Sequence, residues 1–336
     1  MRVTGWLPER PIVQAPMAGG GATPELVAAV GEAGGLGFLG AGYLTAARML
    51  ADVEAVRALS ARPFGVNLFL PATDPVDPAE VDAYRTRLLP DAARLGAEPG
   101  VPRARDDDFD AKVETLLAGP PPAVVSFTFG RPGADVVRAF RAAGSAVVMT
   151  VTSVEEASAC PDADALCVQG VEAGGHQGTF ANVAPPGLGV RELLAAVRAV
   201  TAQPLLAAGG LGTRAHVADV LALGAVAAQA GTAFLRSPES GASAVHKAAL
   251  GDPRYTSTTL TRAFSGRYGR GLTNRFALRH SAAAPAAYPD VHYLTSPLRR
   301  AAAARGDADG VNLWAGTSWR TAAPIPAADV VRALTP

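Results

Sequence analysis

The sequence predicts an α/β fold, a (β/α)8 TIM barrel with a smaller, mostly helical capping domain. Short apolar runs alternate with segments of helical period through residues 11–230, and this alternation is typical of a parallel sheet with crossover helices. The runs give eight candidate strands, which is the number that closes this kind of barrel. A less periodic stretch, residues 237–307, follows the last run. An open, doubly wound sheet is the alternative fold.

The eight candidate strands are rich in Val, Ile, Leu and Ala. Most are followed by a residue that can cap a helix N-terminus, as Thr23, Thr45, Ser153 and Thr213 do, and Glu156 adds a capping box to Ser153. The regular repeat of strand, turn and capped helix supports the barrel. The predicted strands are residues 11–16, 35–40, 64–69, 124–129, 146–152, 165–169, 204–208 and 225–230.

The chain divides into three predicted parts. Residues 1–236 form the barrel, residues 237–307 form a cap over the strand ends, and residues 308–336 return to the barrel. Residues 71–108 contain six prolines around one short helical segment. We therefore expect them to be a long excursion after the third strand.

The composition argues against several classes of function. Of the 336 residues, 49% are hydrophobic and 18% are charged, and the formal net charge is zero. These values describe a globular chain without the basic surface of a nucleic-acid-binding protein. No window approaches the roughly 18 consecutive apolar residues of a membrane span, and the N-terminus has no apolar signal segment. We expect a cytoplasmic monomer or homodimer with no nucleic-acid or membrane partner.

No metal site is predicted. Cys160 and Cys167 do not form a C-x-x-C pair. The aspartates within residues 106–110 lack the Gly turn and the downstream Glu of a calcium loop. We expect them to be a solvated helix start.

Two glycine clusters follow the last two predicted strands. Gly209, Gly210 and Gly212 come after the seventh strand, and Gly231 and Thr232 come after the eighth. Backbone N–H groups at such turns bind phosphate, and barrels often hold a phosphate at these two loops. Either cluster alone is also consistent with a plain turn, but together they predict a phosphate-bearing cofactor.

Three further side chains are predicted at the same end of the barrel. Met17 in "QAPMAGG" follows the first strand, and Asn67 lies in "GVNLFLP" of the third. A flat ring could rest against the backbone near Met17 while the Asn67 amide donates or accepts at the polar edge of the ring. His176 follows the sixth strand in "CVQGVEAGGHQGTF". It is either an active-site histidine or a polar residue in a turn.

Several motifs resemble those of a known family over most of the chain. They are "PIVQAPMAGG", "GGLGFLGAGYL", "PFGVNLF", "VVSFTFG", "QGVEAGGHQGTF", "LLAAGGLGTRAHVADVLALGAVAAQAGTAFL" and "NLWAGTSWR". The chain resembles the nitronate monooxygenases, formerly called 2-nitropropane dioxygenases, of the bacterial class I type. Flavin-dependent enoyl-[acyl-carrier-protein] reductases and some NAD(P)H:quinone reductases share the "EAGGH" strand and the "GT" loop.

The resemblance implies a non-covalently bound FMN, with His176 beside the flavin as the catalytic residue. The implied reaction oxidises an alkyl nitronate, such as propionate 3-nitronate, by O2 to a carbonyl compound and nitrite, through one-electron transfer and a flavin semiquinone. His176 would bind the nitronate as an N–H donor or imidazolium, or remove the α-proton of a neutral nitroalkane. The implied flavin contacts are Asn67, Gln169, Gly174, Gly210, Gln229, Ala230, Gly231 and Thr232.

The resemblance also marks a substrate-capping segment, "YPDVHYLTSP". Tyr288, His292 and Ser296 have the spacing at which the family places tyrosines and a lysine, so the pattern is kept only at Tyr288. His292 is either an oxyanion donor that replaces a tyrosine or a surface histidine. Ser126 of "SFTFG" is a further candidate at the barrel mouth. The remaining histidines are expected to be non-catalytic: His216, His246 and His280.

Two alternative functions remain open. An NAD(P)H-dependent reductase of quinones or enoyl thioesters would keep the flavin and change its electron donor. A non-catalytic FMN-binding barrel would keep only the cofactor. Catalytic reduction of the flavin by NADH would indicate the first alternative, and failure to turn over any nitronate or reduced nicotinamide would indicate the second.

Overall fold

A computed structural model describes residues 5–336, and its barrel strands alternate with helices as the sequence predicts. The first four residues of the predicted barrel part, residues 1–4, lie outside the described residues. The strands are β1 Ile12–Gln14, β2 Leu36–Gly40, β3 Phe64–Phe69, β4 Val124–Thr128, β5 Ala146–Val151, β6 Ala165–Gln169, β7 Gly175–His176, β8 Leu205–Ala208, β9 Ala227–Ala230, β10 Thr258–Thr261 and β11 Gly269–Leu272. The α-helices are α1 Pro24–Glu32, α2 Ala46–Leu59, α3 Pro78–Leu95, α4 Phe109–Leu117, α5 Ala134–Ala142, α6 Val154–Ser158, α7 Val190–Arg198, α8 Arg214–Ala222, α9 Ala244–Ala249, α10 Arg275–His280, α11 Asp290–Ala304 and α12 Ala327–Leu334. Short 3₁₀ helices cover Thr232–Phe234, Ser281–Ala283, Ala308–Gly310 and Trp319–Thr321.

Eight parallel strands close into a barrel in the order β1-β2-β3-β4-β5-β6-β8-β9. Closure is direct, because Val13 of β1 pairs with Leu36 on one side and with Gln229 of β9 on the other. The (β/α)8 prediction is confirmed, and the open sheet is excluded. All eight predicted strands are present, with ends that differ by no more than two residues.

The predicted helix caps are also confirmed. Thr23 Oγ1 accepts from the Leu26 N–H at 3.1 Å, and Thr45, Ser153 and Thr213 accept in the same way from the third residue after them. Such a cap stabilises a helix by about 1 kcal/mol. Glu156 differs from the predicted capping box, because its carboxylate accepts the N–H of Thr152 at 2.6 Å.

The cap has a hydrophobic core of its own, and α3 belongs to it. Tyr84 and Leu88 of α3 lie in one apolar cluster with Leu294 and Leu298 of α11. The prediction of one short helical segment within residues 71–108 is wrong, because α3 runs for 18 residues. Prolines are frequent in loops, but Pro78 stands in the first turn of α3, where the missing N–H would have no helical partner.

A small antiparallel sheet joins the barrel to the cap, and the sequence did not predict it. Its order is β10-β11-β7, and His176 of β7 pairs with Gly269 of β11. Two residues are too few to show a strand period in a sequence. This pairing fixes the loop after β6 to a hairpin of the cap.

The C-terminal segment ends on the barrel, where α12 packs against α1. Within the part of the chain that the structure describes, no helix combines the length and the apolar character needed to cross a membrane. Among those same residues, no cluster of three or more His, Cys, Asp or Glu side chains has the arrangement of a metal site.

Candidate active site

A cavity of about 580 Å³ lies at the carboxyl ends of the barrel strands, between the barrel and the cap. This is the end at which barrel enzymes place their reactive groups. The loops after the strands supply its floor, and His292, Ser296 and Trp314 lie among the residues that close it from above. The structure brings together eleven of the predicted site residues in its lining: Met17, Asn67, Gln169, Gly174, His176, Gly210, Gln229, Ala230, Gly231, Thr232 and His292.

His176 faces this cavity from β7, so it is presented by a strand and not by an irregular turn. The side-chain amide of Gln169, at the end of β6, donates to the His176 carbonyl at 3.2 Å and accepts the Gly178 N–H at 2.7 Å. Gln169 and the pairing with β11 thus hold the backbone on both sides of the imidazole.

The imidazole of His176 is neutral at pH 7. Burial lowers its pKa to about 3, and the nearby charges of Arg267 and Arg299 act in the same direction. Its Nε2 lies 2.8 Å from the hydroxyl oxygen of Ser265, which is itself buried. A neutral imidazole has one N–H and one lone pair, so this residue offers one donor and one acceptor.

Aromatic rings surround His176 on the remaining sides. Tyr288, Phe129 and Trp314 have ring centroids 5.6, 5.8 and 5.5 Å from the imidazole. Tyr288 is 5% exposed and lies behind the rings that line the cavity. These contacts exclude water from the imidazole and account for the direction of its pKa shift.

Asn67 offers an acceptor to the cavity. Its Nδ2 donates to Ser126 Oγ at 2.9 Å and to Thr128 Oγ1 at 3.0 Å. The amide orientation is therefore fixed, and Oδ1 is the atom left for a ligand. Ser126 lies behind Asn67 in the barrel and orients this amide.

The glycine loops leave room for a ligand beside the barrel wall. A Cβ added to Gly231 would meet protein atoms only at ordinary contact distances, 3.4 Å to Ala15 Cβ and 3.7 Å to Met17 Sδ. Gly210 has a left-handed backbone with φ of 69°, which favours glycine. Thr232 Oγ1 accepts from the Gly316 N–H at 2.9 Å, and so keeps its own proton for another partner.

Packing also requires a glycine at position 174. A Cβ there would overlap the backbone nitrogen of Gly316 in the C-terminal segment. The glycine is therefore required for this segment to approach the loop after β6, whatever the loop binds.

The cavity has a positive character. Its lining contains Arg299 and Arg300, and within residues 5–336 no Asp or Glu contributes to it. Arg267 is buried next to it, with its guanidinium 4.1 Å from the centroid of the Phe129 ring. Burial lowers the pKa of Arg267 and of Arg299 to about 10, so both remain cations at pH 7. Such a site favours an anionic ligand.

Tyr43 lines the cavity and was missed by the sequence analysis. Its backbone is left-handed, with φ of 67°, and Asp107 Oδ1 accepts its N–H at 2.7 Å. Asp107 in turn pairs with the buried Lys112 at 2.7 Å. The prediction that residues 106–110 form a solvated helix start is thus half right: α4 begins at Phe109, but Asp107 is enclosed.

Further lining residues escaped prediction because no local pattern marks them. Among them are His246, whose Nε2–H donates to the Trp314 carbonyl at 3.0 Å, together with Ser265 and Arg299. His246 was expected to be non-catalytic, and the structure places it in the lining of the cavity. Each is brought to the cavity by the packing of the cap, and only their position in the cap residues 237–307 could have suggested them.

Comparison with known proteins is consistent with this geometry. The family model described as nitronate monooxygenase matches residues 2–336. The chain belongs to the nitronate monooxygenase family. It is therefore an enzyme, a flavin-dependent oxidoreductase of this family.

Individual relatives cover nearly the whole chain. A nitronate monooxygenase of Pseudomonas aeruginosa is 40% identical, over 97% of this chain and 95% of its own. A nitroalkane oxidase from Streptomyces ansochromogenes, a solved structure, is 50% identical with a TM-score of 0.95, covering 99% of this chain and 96% of its own. FabK from Thermotoga maritima is 28% identical with a TM-score of 0.75, over 99% and 94% of the two chains.

Proposed function

We propose that this enzyme binds FMN and oxidises alkyl nitronates, such as propionate 3-nitronate, with O2 to a carbonyl compound and nitrite. The observation that carries the proposal is a neutral histidine, His176, in a cavity whose lining has arginines and no carboxylate. The names of two relatives support it, since one is called a nitronate monooxygenase and the other a nitroalkane oxidase.

The residues present fit a flavin mononucleotide. Asn67 Oδ1 would accept from an N–H at the polar edge of the ring, and Met17 would lie against the ring. Gly210, Gly231 and Thr232 would hold the phosphate, because the start of the 3₁₀ helix Thr232–Phe234 offers backbone N–H groups without intrahelical partners. When bound, the flavin would supply the electron-transfer chemistry and pass electrons to O2.

The protein would bind the nitronate through its charge. A nitronate spreads one negative charge over two oxygens. The positive lining and the exclusion of water strengthen its attraction to Arg299 and to N–H donors of the cavity. This arrangement favours the anion over the neutral nitroalkane.

His176 can serve as donor or as base, depending on the proton of Ser265. Ser265 Oγ has one proton and two neighbouring acceptors, His176 Nε2 at 2.8 Å and the Arg267 carbonyl at 3.1 Å. If Ser265 donates to Nε2, the histidine carries its proton on Nδ1, which suits an anionic nitronate. If Ser265 donates to Arg267, then Nε2–H donates to Ser265 and Nδ1 is a base, which suits a neutral nitroalkane.

The first test is spectroscopic. The purified protein should show a flavin spectrum, and mass analysis of the released flavin should identify FMN. Under anaerobic conditions, propionate 3-nitronate should change this spectrum at a catalytic rate while NADH should not. Reduction of the flavin by NADH alone would indicate an NAD(P)H-dependent reductase. Absence of flavin after reconstitution would refute the cofactor assignment.

We also propose that the enzyme acts in the cytoplasm as a monomer or homodimer. Both cysteines are free and buried, which suits a reducing compartment. Light scattering of the purified protein tests the oligomeric state, and fractionation of the cells that produce it tests the location.

A further inference from the structure

His292 lies in the first turn of α11 and faces the cavity. Its ring stacks on that of Tyr43, with a centroid distance of 3.8 Å and an interplanar angle of 7°. Tyr43 itself is fixed through its backbone by Asp107. The plane of the imidazole is therefore set by a loop of the barrel and not by α11 alone.

Arg299, two turns further along α11, fixes the edge of the same ring. Its guanidinium Nη2 lies 3.1 Å from His292 Nδ1, 2.8 Å from Ser296 Oγ and 3.2 Å from the His292 carbonyl. Its Nε donates to Thr295 Oγ1 at 3.1 Å. Among the described residues, no carboxylate lies within ion-pair distance of Arg299.

The direction of the hydrogen bond between Arg299 and His292 follows from chemistry. A guanidinium carries only donors, so the Nδ1 of His292 must accept. A neutral imidazole with a lone pair on Nδ1 carries its proton on Nε2. No acceptor among residues 5–336 takes up that N–H, and the ring is open to the cavity.

We propose that Arg299 holds His292 as the Nε2–H tautomer, and that this N–H binds an anionic oxygen of the substrate. The ligand part rests on the proposed function, because the oxygen would belong to a nitronate or to a second acidic group of the same molecule. Arg299 is in this sense a positioning residue, and His292 is the group that touches the substrate.

His292 differs from His176 in that it can act only as a donor. Protonation of His292 would place a second positive charge beside Arg299, which is unfavourable. The charged and titratable groups around the ring are Arg299 and Arg300 on α11, His176 on β7 and the phenols of Tyr43 and Tyr293. Burial, and to a lesser degree Arg299, His176 and Arg300, lower the pKa of His292 to about 2. The ring therefore stays neutral over the working pH range, and its lone pair is occupied by Arg299.

Nitrogen NMR of the protein labelled with ¹⁵N-histidine tests the tautomer directly, without any turnover. The chain has five histidines, and the signal lost in His292→Gln identifies His292. We expect an Nε2–H pattern that does not titrate between pH 8 and pH 5. In Arg299→Met the ring should lose this fixed tautomer and begin to titrate. An Nδ1–H pattern in the wild type, or titration near the ordinary value, would overturn the proposal.

Nitrate, a planar oxyanion like the nitronate group, tests the ligand role on the protein as purified. We expect nitrate to shift the Nε2–H signal and to bind at least about tenfold more weakly to His292→Phe, since this variant loses a hydrogen bond to a charged ligand. His292→Gln, which keeps an N–H near the same place, should retain most of the affinity. His216→Gln on the exposed face of α8 is the matched control. A signal that nitrate does not move, or equal affinity in His292→Phe, would refute the ligand role.

The source of the oxygen is distinguished by turnover of two substrates. If His292→Phe slows ethyl nitronate and propionate 3-nitronate equally, the N–H binds the nitronate group, and if it slows only the second, it binds the distal carboxylate. Either result supports the proposal. If His292→Phe slows neither substrate, the proposal is contradicted. A protein that oxidises no nitronate but shows the tautomer and the nitrate shift would refute the proposed function alone.

Discussion

The hydroxyl of Ser265 lies 2.8 Å from Nε2 of His176, across the boundary between cap and barrel. Ser265 belongs to the turn between β10 and β11, and His176 to β7, which the same hairpin pairs. The cap therefore does more than cover the cavity, because one of its hydroxyl groups decides which nitrogen of the histidine carries the proton.

Replacing Ser265 by Ala should impair turnover more than binding. The imidazole keeps its place but loses the partner that selects its tautomer, so we expect kcat to fall by about tenfold, less than the roughly hundredfold or more for loss of an acid or base itself, with KM changed much less. The pH profile of kcat should shift as well, which a purely structural defect would not cause. Ser257→Ala, at an exposed hydroxyl bonded to Thr273, is the control. If Ser265→Ala and Ser257→Ala changed kcat and KM to the same extent, the positioning role would be contradicted.

His176→Asn should keep the flavin and lose the reaction. Asparagine preserves one donor but neither the geometry nor the basicity of the ring, so we expect nitronate turnover to fall by about a hundredfold or more. Steady-state oxygen uptake and the ratio of flavin to protein measure the two effects separately. Unchanged kinetics would remove His176 from the mechanism.

Gly231→Ala separates cofactor binding from folding. The new methyl group meets protein atoms only at ordinary distances, so the thermal midpoint of the flavin-free protein should hardly change. The methyl group would, however, occupy space next to the phosphate loop, and we expect flavin content to fall severalfold. Gly119→Ala, where a Cβ meets nothing within 4 Å, serves as the control. Full flavin content in Gly231→Ala would place the phosphate elsewhere.

The sequence predicted the parts of the site that local patterns encode. Strand periods and glycine turns placed Asn67, Gly210 and Gly231 correctly at the barrel mouth, because Asn67 lies in the last half of β3 and the two glycines follow the ends of β8 and β9. The order of the barrel strands also followed, since parallel strands with crossover helices have few ways to close.

The parts that depend on long-range packing could not be predicted. Tyr43 reaches the cavity because Asp107, 64 residues away, holds its backbone in a left-handed conformation. Arg299 acts on His292 only because the cap turns this face of α11 toward the cavity. The contact between Tyr43 and Asp107 leaves no motif in the sequence, and the helical spacing of His292 and Arg299 does not show which neighbours that face of α11 meets, so both were found only in three dimensions.

Buried histidines should make the stability of the flavin-free protein depend on pH. Burial lowers the pKa of His176 to about 3, of His246 to about 4 and of His292 to about 2, from the ordinary value of 6.5. The unfolded chain then binds more protons than the native one below pH 6.5. The stabilisation is complete above this pH and is lost as the pH falls toward the folded values, by up to about 1.4 kcal/mol per pH unit for each histidine.

His246→Gln isolates one of these contributions, because the glutamine amide can still donate to the Trp314 carbonyl that His246 Nε2 contacts. Urea unfolding at several pH values between 5 and 7.5 gives the slope for each variant. Burial raises the pKa of Asp107, which acts in the opposite sense, so the informative quantity is the difference in slope between variant and wild type. We expect His246→Gln to reduce the dependence of the unfolding free energy on pH by the contribution of one proton, roughly 1.4 kcal/mol per pH unit. His216→Gln controls for the loss of any imidazole, and an unchanged slope in His246→Gln would show that the pKa of His246 is the same in the native and unfolded chains, against the lowered pKa that its burial implies.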